Sequence, residues 1–310
     1  MIYPFEIFIN VTDDRNVMTD IDLAYQMKEL LNKDRLKYME MIMNSDKGLG
    51  SLEIAQIICA SRGITRDMEI TRENSKINKR LRKLVNLGIL MQIEEGKYSI
   101  SSLGYLLMDS WKKLAEKADT VNKFSKFFNE HFVNDIPEEF FGQIYKIRGA
   151  KLTGNTVQWK ESLARHMFKM DTKLYNSTQY LHDFPDVIIE KVRSHEIEIV
   201  IIYQFDSYPE LNYSDEKELF DKLVEAGVEF RYIDLENRHP IGIRIIDDTW
   251  ASFYLSRISD GKLDRDHVFI GTDREFITWC RDLHYHIWSF EAKPLNVEEV
   301  IAKKKRLIAF

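Results

Sequence analysis

Arginine and lysine crowd into one stretch of this chain. Residues 62–83 hold eight bases (Arg62, Arg66, Arg72, Lys76, Lys79, Arg80, Arg82 and Lys83) against three acids, Asp67, Glu69 and Glu73, while the whole chain carries a formal charge of −6. Cations so concentrated on an acidic protein suit the capture of phosphates, and an arginine fork also suits the O6 and N7 edge of guanine. The competing reading is a solvated helix face, the ordinary fate of a charge run. A helical wheel of residues 72–86, at about 100° per residue, bears on the choice. Ile77, Leu81, Leu84 and Val85 fall on one side. Arg72, Ser75, Lys79, Arg82, Lys83 and Asn86 fall on the other, with Lys76 at the edge. One face is fit for a core and the other for a groove. Base-edge contacts are expected from Arg72, Ser75, Lys76 and Lys79. Phosphate contacts are expected from Arg82, Lys83, Arg62, Arg66 and Lys97.

Residue types for other chemistries are present without their spacing. None of the eight histidines is followed two residues later by lysine, the pair that phospholipase-D-type phosphoryl transfer needs. There is no Gly-x-x-x-x-Gly-Lys-Ser/Thr loop, no Gly-x-Gly-x-x-Gly after a strand and no His-Glu-x-x-His. His284 and His286 are two apart on a helix, so they point apart, one packed and one at the surface. Asp247 and Asp248 read as a strand end or turn before they read as a catalytic pair. Cys59 and Cys280 are the only cysteines and lie far apart, which excludes a disulfide framework or a cysteine-rich zinc site. The expectation is a protein without catalysis, cofactor or bound metal.

The basic face needs a scaffold, and the flanking sequence supplies one. A helix over 22–44 is followed by the breaker Lys47-Gly48-Leu49-Gly50. Ser51 is read as the N-cap of a helix to about residue 60, Arg62-Gly63-Ile64 as a turn, and Thr71 as the N-cap of a third helix ending at Gly88. Strand-like runs at 89–93 and 97–100 flank Glu94-Glu95-Gly96, a hairpin. A long helix over 103–128 then carries Leu103, Leu106, Leu107, Trp111 and Leu114 at helical spacing, fit for dimerisation. Helix, helix, turn, helix, hairpin is the order of a winged helix-turn-helix. Residues 3–11 read as a short strand or arm.

Beyond residue 134 the pattern changes. Helices over 186–193, 215–226 and 272–290 alternate with strands over 197–205, 228–233, 241–246, 250–255 and 267–270, as an α/β domain with a mixed sheet requires. The fold class is therefore α+β. Its domains are a winged helix-turn-helix over 1–102, a linker or dimerisation helix over 103–133 and an effector domain over 134–310. Open α/β sheets bind ligands at the carboxyl ends of their strands. Tyr203, Arg231, His239, Arg244, Asp247, Trp250 and Tyr254 are the candidates there for a small-molecule effector. The tail Lys303-Lys304-Lys305-Arg306 reads as a solvated helix end.

The leucine-rich helix, followed by His131, Ile136-Pro137, Phe140 and Ile144, and then by Ile246-Asp247-Asp248, Gly271, Asp273 and Trp279, resembles the FilR family of archaeal regulators. The effector part is similar, more distantly, to the phospholipase-D-like sensor domain of TrmB regulators. The resemblance implies a homodimeric transcription factor that binds double-stranded operator DNA, and a fold kept without its catalysis. The rival readings are a winged-helix module that binds protein rather than DNA, and a phospholipase-D-like nucleic-acid-processing enzyme. No apolar run approaches the roughly 20 residues of a membrane span, and the start lacks a secretion signal, so a cytoplasmic location is expected.

Overall fold

The structure is a computed structural model and describes residues 33–178, 184–195, 198–205, 213–234 and 239–294. The expected arm at 3–11, the start of the first helix and the 303–306 tail lie outside the described residues. By its contacts the chain divides into two units, Met1–Leu114 and Ala115–Phe310.

In the first unit, helix α1 (Lys33–Met43), strand β1 (Leu49–Gly50), helices α2 (Ser51–Ser61) and α3 (Asp67–Asn86), and strands β2 (Leu90–Glu94) and β3 (Lys97–Ile100) lead into α4 (Ser102–Lys123). The strands order β1-β3-β2, all antiparallel, with Leu49 opposite Tyr98 and Leu90 opposite Ile100. Tyr38, Met39 and Ile42 of α1, Ile54 and Ile58 of α2, and Ile77, Leu81 and Leu84 of α3 are all buried in one core. This is a winged helix, and its wing turns at Gly96, where φ is +78°.

Two expected helix starts are displaced. Ser51 is the first helical residue rather than the cap; Gly50 caps, and its N–H donates to the Glu53 carboxylate at 2.6 Å. Helix α3 begins at Asp67 instead of Arg72. Thr71 lies inside it, its hydroxyl donating to the Asp67 carbonyl at 2.9 Å. Nothing in 65–70 breaks a helix, and Asp67 and Glu69 suit the positive end of its dipole. Ile70 adds apolar surface to the core. The long helix also stops sooner than expected. Phe124 leaves helical geometry, with ψ at +24°, and a separate α5 (Ser125–Glu130) follows.

The second unit is built on an eight-stranded sheet. Its strands are β4 (Lys151–Leu152), β5 (Lys173–Thr178), β6 (Glu198–Phe205), β7 (Glu229–Asp234), β8 (Ile241–Ile246), β9 (Trp250–Leu255), β10 (Phe269–Gly271) and β11 (Lys293–Pro294), in the order β11-β7-β6-β5-β8-β9-β10-β4. β5, β6 and β7 are parallel, and the remaining pairings are antiparallel. The short α6 (Glu138–Phe141) and the long α10 (Arg274–His286) bury Phe140, Phe276, Trp279 and Leu283 against Ile243, Ile245 and Phe253. The opposite face packs Trp159, Leu163 and Met167 of α7 (Thr156–Lys169), Ile188 of α8 (Pro185–His195), and Phe220 and Leu223 of α9 (Tyr213–Glu225). The central strands β8 and β9 thus have a core on both faces, so their sequences run apolar rather than alternating. Strand β5 and helix α7 escape the sequence reading. Lys-Leu-Tyr-Asn-Ser-Thr is too polar to look like a central strand, and its polar members are satisfied inside: the Arg244 Nε donates to Asn176 at 3.1 Å, and Ser177 donates to the Ile241 carbonyl at 3.2 Å.

Candidate nucleic-acid interface

Helix α3 keeps its two faces in three dimensions. Ile77, Leu81 and Leu84 are buried, and Arg72, Ser75, Lys76, Lys79 and Arg82 are exposed. Arg72, Lys79 and Arg82 make no ion pair among the described residues. Lys76 meets Glu73 at 3.3 Å, an exposed pair of small worth that a phosphate readily replaces. Lys83 is half-buried on the flank. Ser75 donates its hydroxyl to the Thr71 carbonyl at 3.1 Å, which leaves its lone pairs facing outward as acceptors.

Arg80 belongs to the same basic run and goes elsewhere. Its Nη1 donates to Asp34 at 2.9 Å and to the Tyr38 hydroxyl at 2.7 Å, both on α1. Burial pushes the Tyr38 phenol above its ordinary value against the pull of Arg80, so it remains a neutral hydroxyl. On the other flank, the Tyr98 hydroxyl of β3 donates to Asn78 at 3.2 Å. These two ties fix the roll of α3, and with it the direction of the free cations. Sequence reasoning missed Asp34, Tyr38, Asn78 and Arg80 as positioning residues; Arg80's place beside the buried Ile77 and Leu81 is a signal that could have marked it.

The remaining DNA candidates sit around the helix. Arg62 is exposed in the turn before α3, and Arg66, its N-cap, is exposed with a long 3.8 Å contact to Glu69. The extra turn at the start of α3 puts Arg72, Ser75, Lys76 and Lys79 in its middle rather than at its tip. Lys97 is engaged by Glu94 at 3.4 Å, and the exposed Glu94 and Glu95 make the wing tip acidic. A phosphate at the wing meets two carboxylates before it meets the lysine.

Six of the seven ligand candidates have described side chains, and these six are not brought to one place. Arg244, Trp250 and Tyr254 share a face of the β8–β9 pair, where Trp250 stacks on His166 and Tyr254 packs on Trp159. Gly242 is required there, because any side chain would strike the Tyr254 ring opposite it. Arg231 points to the other face and donates to the Trp288 carbonyl at 2.7 Å. His239 stacks on Phe132, with Asp135 at 3.1 Å. Asp247 holds the β8–β9 turn, where Asp247 and Asp248 both have positive φ, and accepts from the backbone N–H groups of Asp171, Thr172 and Lys173 at 2.8–2.9 Å. The Tyr203 side chain lies outside the described residues. The open carboxyl-end crevice expected for these residues is therefore a packed strand pair plus three separate structural contacts.

No helix among the described residues is long and apolar enough to cross a membrane. Among the described residues, no group of His, Cys, Asp or Glu is arranged to hold a metal ion.

No protein-family model matches the chain, and no curated protein does. The chain is similar to solved structures, among them these three. One is TrmBL2, an archaeal chromatin protein with a novel mode of DNA binding, at 14% identity and a TM-score of 0.37, over 87% of this chain and 99% of that one. Another is Nuc, a phospholipase D family member from Salmonella typhimurium, at 8% identity and a TM-score of 0.35, over 47% of this chain and 97% of that one. The third is phosphatidylserine synthase from Haemophilus influenzae Rd KW20, at 10% identity and a TM-score of 0.36, over 61% of this chain and 47% of that one. Scores this low carry no argument about what this chain does.

Proposed function

We propose that this chain is a DNA-binding transcription regulator. Its winged helix lays the outer face of α3 in a major groove, and its α/β unit is an effector domain without catalysis. The observation that carries this reading is the split fate of one basic run: Arg72, Lys76, Lys79 and Arg82 stay exposed on the helix opposite to Ile77, Leu81 and Leu84, and Arg80 turns to α1 and fixes the helix. A merely solvated face needs no such orientation. Arg72, Ser75, Lys76 and Lys79 take the base edges. Arg82, Lys83, Arg62 and Arg66 take phosphates, and Lys97 contributes least.

The reading includes a homodimer on a two-fold operator. On α4, Leu103, Leu106 and Leu114 are 49%, 63% and 53% exposed at helical spacing, apolar surface suited to a second copy.

The test is retention of the protein on a pool of random duplex DNA across a salt series, with sequencing of the retained fraction. A palindromic motif lost steeply with salt is the expected result. Each phosphate contact adds about −0.9 to the slope of log K against log salt. Failure to retain duplex DNA at low salt overturns the reading and turns the winged helix toward protein recognition.

A further inference from the structure

The segment that follows α5, residues 131–135, is held down by two histidine–aspartate pairs. At its start, His131 Nε2 lies 3.0 Å from Asp264 Oδ2, and the two side chains are 1% and 2% exposed. At its end, Asp135 accepts from the ring Nδ1 and the backbone N–H of His239, at 3.1 and 3.2 Å, and Phe132 stacks on the same ring at 3.5 Å. The backbone follows. His131 bridges to Arg257, the Phe132 N–H donates to the Ser256 carbonyl at 3.0 Å, and the Ile258 N–H donates to the Glu130 carbonyl at 2.9 Å. The chain arriving from α4 and α5 is thereby tied to the residues that follow β9.

Both nitrogens of His131 face acceptors. Nδ1 lies 2.6 Å from the Phe127 carbonyl, which can only accept, so Nδ1 carries a proton. Nε2 faces a carboxylate whose two oxygens already accept elsewhere: Oδ2 from His267 Nδ1 at 2.9 Å, and Oδ1 from the backbone N–H groups of Asp266 and His267 at 2.9 and 3.3 Å. Burial alone would raise Asp264, yet these donors keep it well below the usual carboxylate range, and so ionised. Nε2 therefore carries a proton as well. Geometry makes the ring an imidazolium, stacked on Phe127 at 3.9 Å and set against a buried anion.

The other charged groups around the pair come from the connection between β9 and β10. Arg257 Nη1 is 4.0 Å from Asp264, and its Nη2 is bound by Asp260 at 2.7 Å. The Asp266 carboxylate engages Thr156. His267 is half-buried and needs only the proton on Nδ1 to keep its bond, so it holds Asp264 in either charge state. His131 has no such reserve. When its ring gives up a proton, either the Phe127 carbonyl at the end of α5 or the buried Asp264 loses a donor, and a buried acceptor left without one is costly.

We infer that segment 131–135 is a proton-operated latch, closed on the residues after β9 while His131 holds both ring protons and opened as rising pH removes one. The latch is measured on the full chain without DNA, so it and the DNA reading stand or fall separately.

The experiment follows the full chain by NMR from about pH 6 to about pH 8.5. The His131 ring nitrogens report their protons. Hydrogen exchange at the Phe132 and Ile258 amides, corrected for the intrinsic rate, reports opening. His284, pushed down to about 4 by burial, keeps one state over this range. Two ring protons at the acid end are expected, and protection of both amides is expected to fall about tenfold or more as one proton leaves, along the same curve. His131→Gln keeps an amide donor that cannot change charge, so its exchange is expected to be flat with pH. His239→Gln, at a partly exposed position, is expected to retain the native dependence. A His131 ring that keeps one protonation state throughout overturns the inference. So does loss of the ring proton without loss of protection, a native pH dependence in His131→Gln, or a flat profile in His239→Gln. Should His131→Gln fail to fold, the ring and amide curves of the native chain decide.

Discussion

Arg80 Nη1 donates to the Tyr38 hydroxyl at 2.7 Å, and this bond joins the third helix of the winged domain to the first. One position earlier, Lys79 is exposed and has no ion pair among the described residues. Adjacent cations in one basic run thus have different work. Lys79→Ala is expected to leave the melting temperature unchanged and to weaken binding of the retained DNA motif by about 1–3 kcal/mol, with relaxed specificity at one position, as loss of a base-edge contact does. Arg80→Ala is expected to cost about 1–2 kcal/mol of stability, a value limited by the partial exposure of the pair. Chemical denaturation beside a salt series on both variants checks the division. A loss of stability in Lys79→Ala equal to that in Arg80→Ala would contradict it.

Gly104, in the first turn of α4, lies where a Cβ would collide with the Ile89 carbonyl of the wing. Gly104→Ala is expected to destabilise the winged unit by about 1–3 kcal/mol, despite the better helix propensity of alanine. A urea midpoint that rises instead would mean that the close approach does not exist.

His284 ties stability to pH. Burial pushes its pKa down to about 4 from an ordinary value near 6.5. The unfolded chain takes up the proton first. The His284 contribution to stability is therefore complete above about pH 6.5 and declines as pH falls toward 4, by as much as about 3 kcal/mol. Below this window the carboxylates follow. Burial alone would raise Asp264, but hydrogen bonds from His131 and His267 and from the backbone N–H groups of Asp266 and His267 hold it well below the usual range. Its contribution is present above about pH 4 and is lost as pH falls further. Urea midpoints between about pH 2 and 7.5, for the native chain and His284→Gln, separate the two groups. The slope between pH 6.5 and 4 is expected to flatten in the variant.

Asp247 ties the β8–β9 turn to the start of β5, by accepting from the backbone N–H groups of Asp171 and Thr172, ahead of that strand, and of Lys173, its first residue. Burial would raise its carboxyl, yet these bonds and the Thr172 hydroxyl bring it below the ordinary value. Asp247→Ala is expected to cost about 2 kcal/mol, through the orphaned donors and a φ of +53° that alanine tolerates poorly. Asp247→Asn, which tolerates the same backbone and keeps one acceptor, is expected to fall between the two. Thermal melts of the three proteins rank them.

Much of the winged unit was legible in the sequence, because its information is local. Apolar residues at 77, 81 and 84 mark the inner face of α3 whatever surrounds it, and Gly88 and Gly96 punctuate the helix end and the wing with φ of +72° and +78°. The start of α3 was not legible. Thr71 is a fair cap in isolation, and only the packing of the half-buried Ile70 on the core and the continuous helix through 67–70 decide against it.

The sequence by itself determined which helix carries the positive charge and which of its faces is apolar, because helical periodicity is a property of neighbours. Only the tertiary structure decided that Arg80 is tied to Asp34 and Tyr38 of another helix. It also separated Arg231 from Arg244, on opposite faces of one sheet, and brought His131 to Asp264. Those residues are tens of positions apart. Strand order and register bring them together, and long-range pairing leaves no periodic trace in the chain.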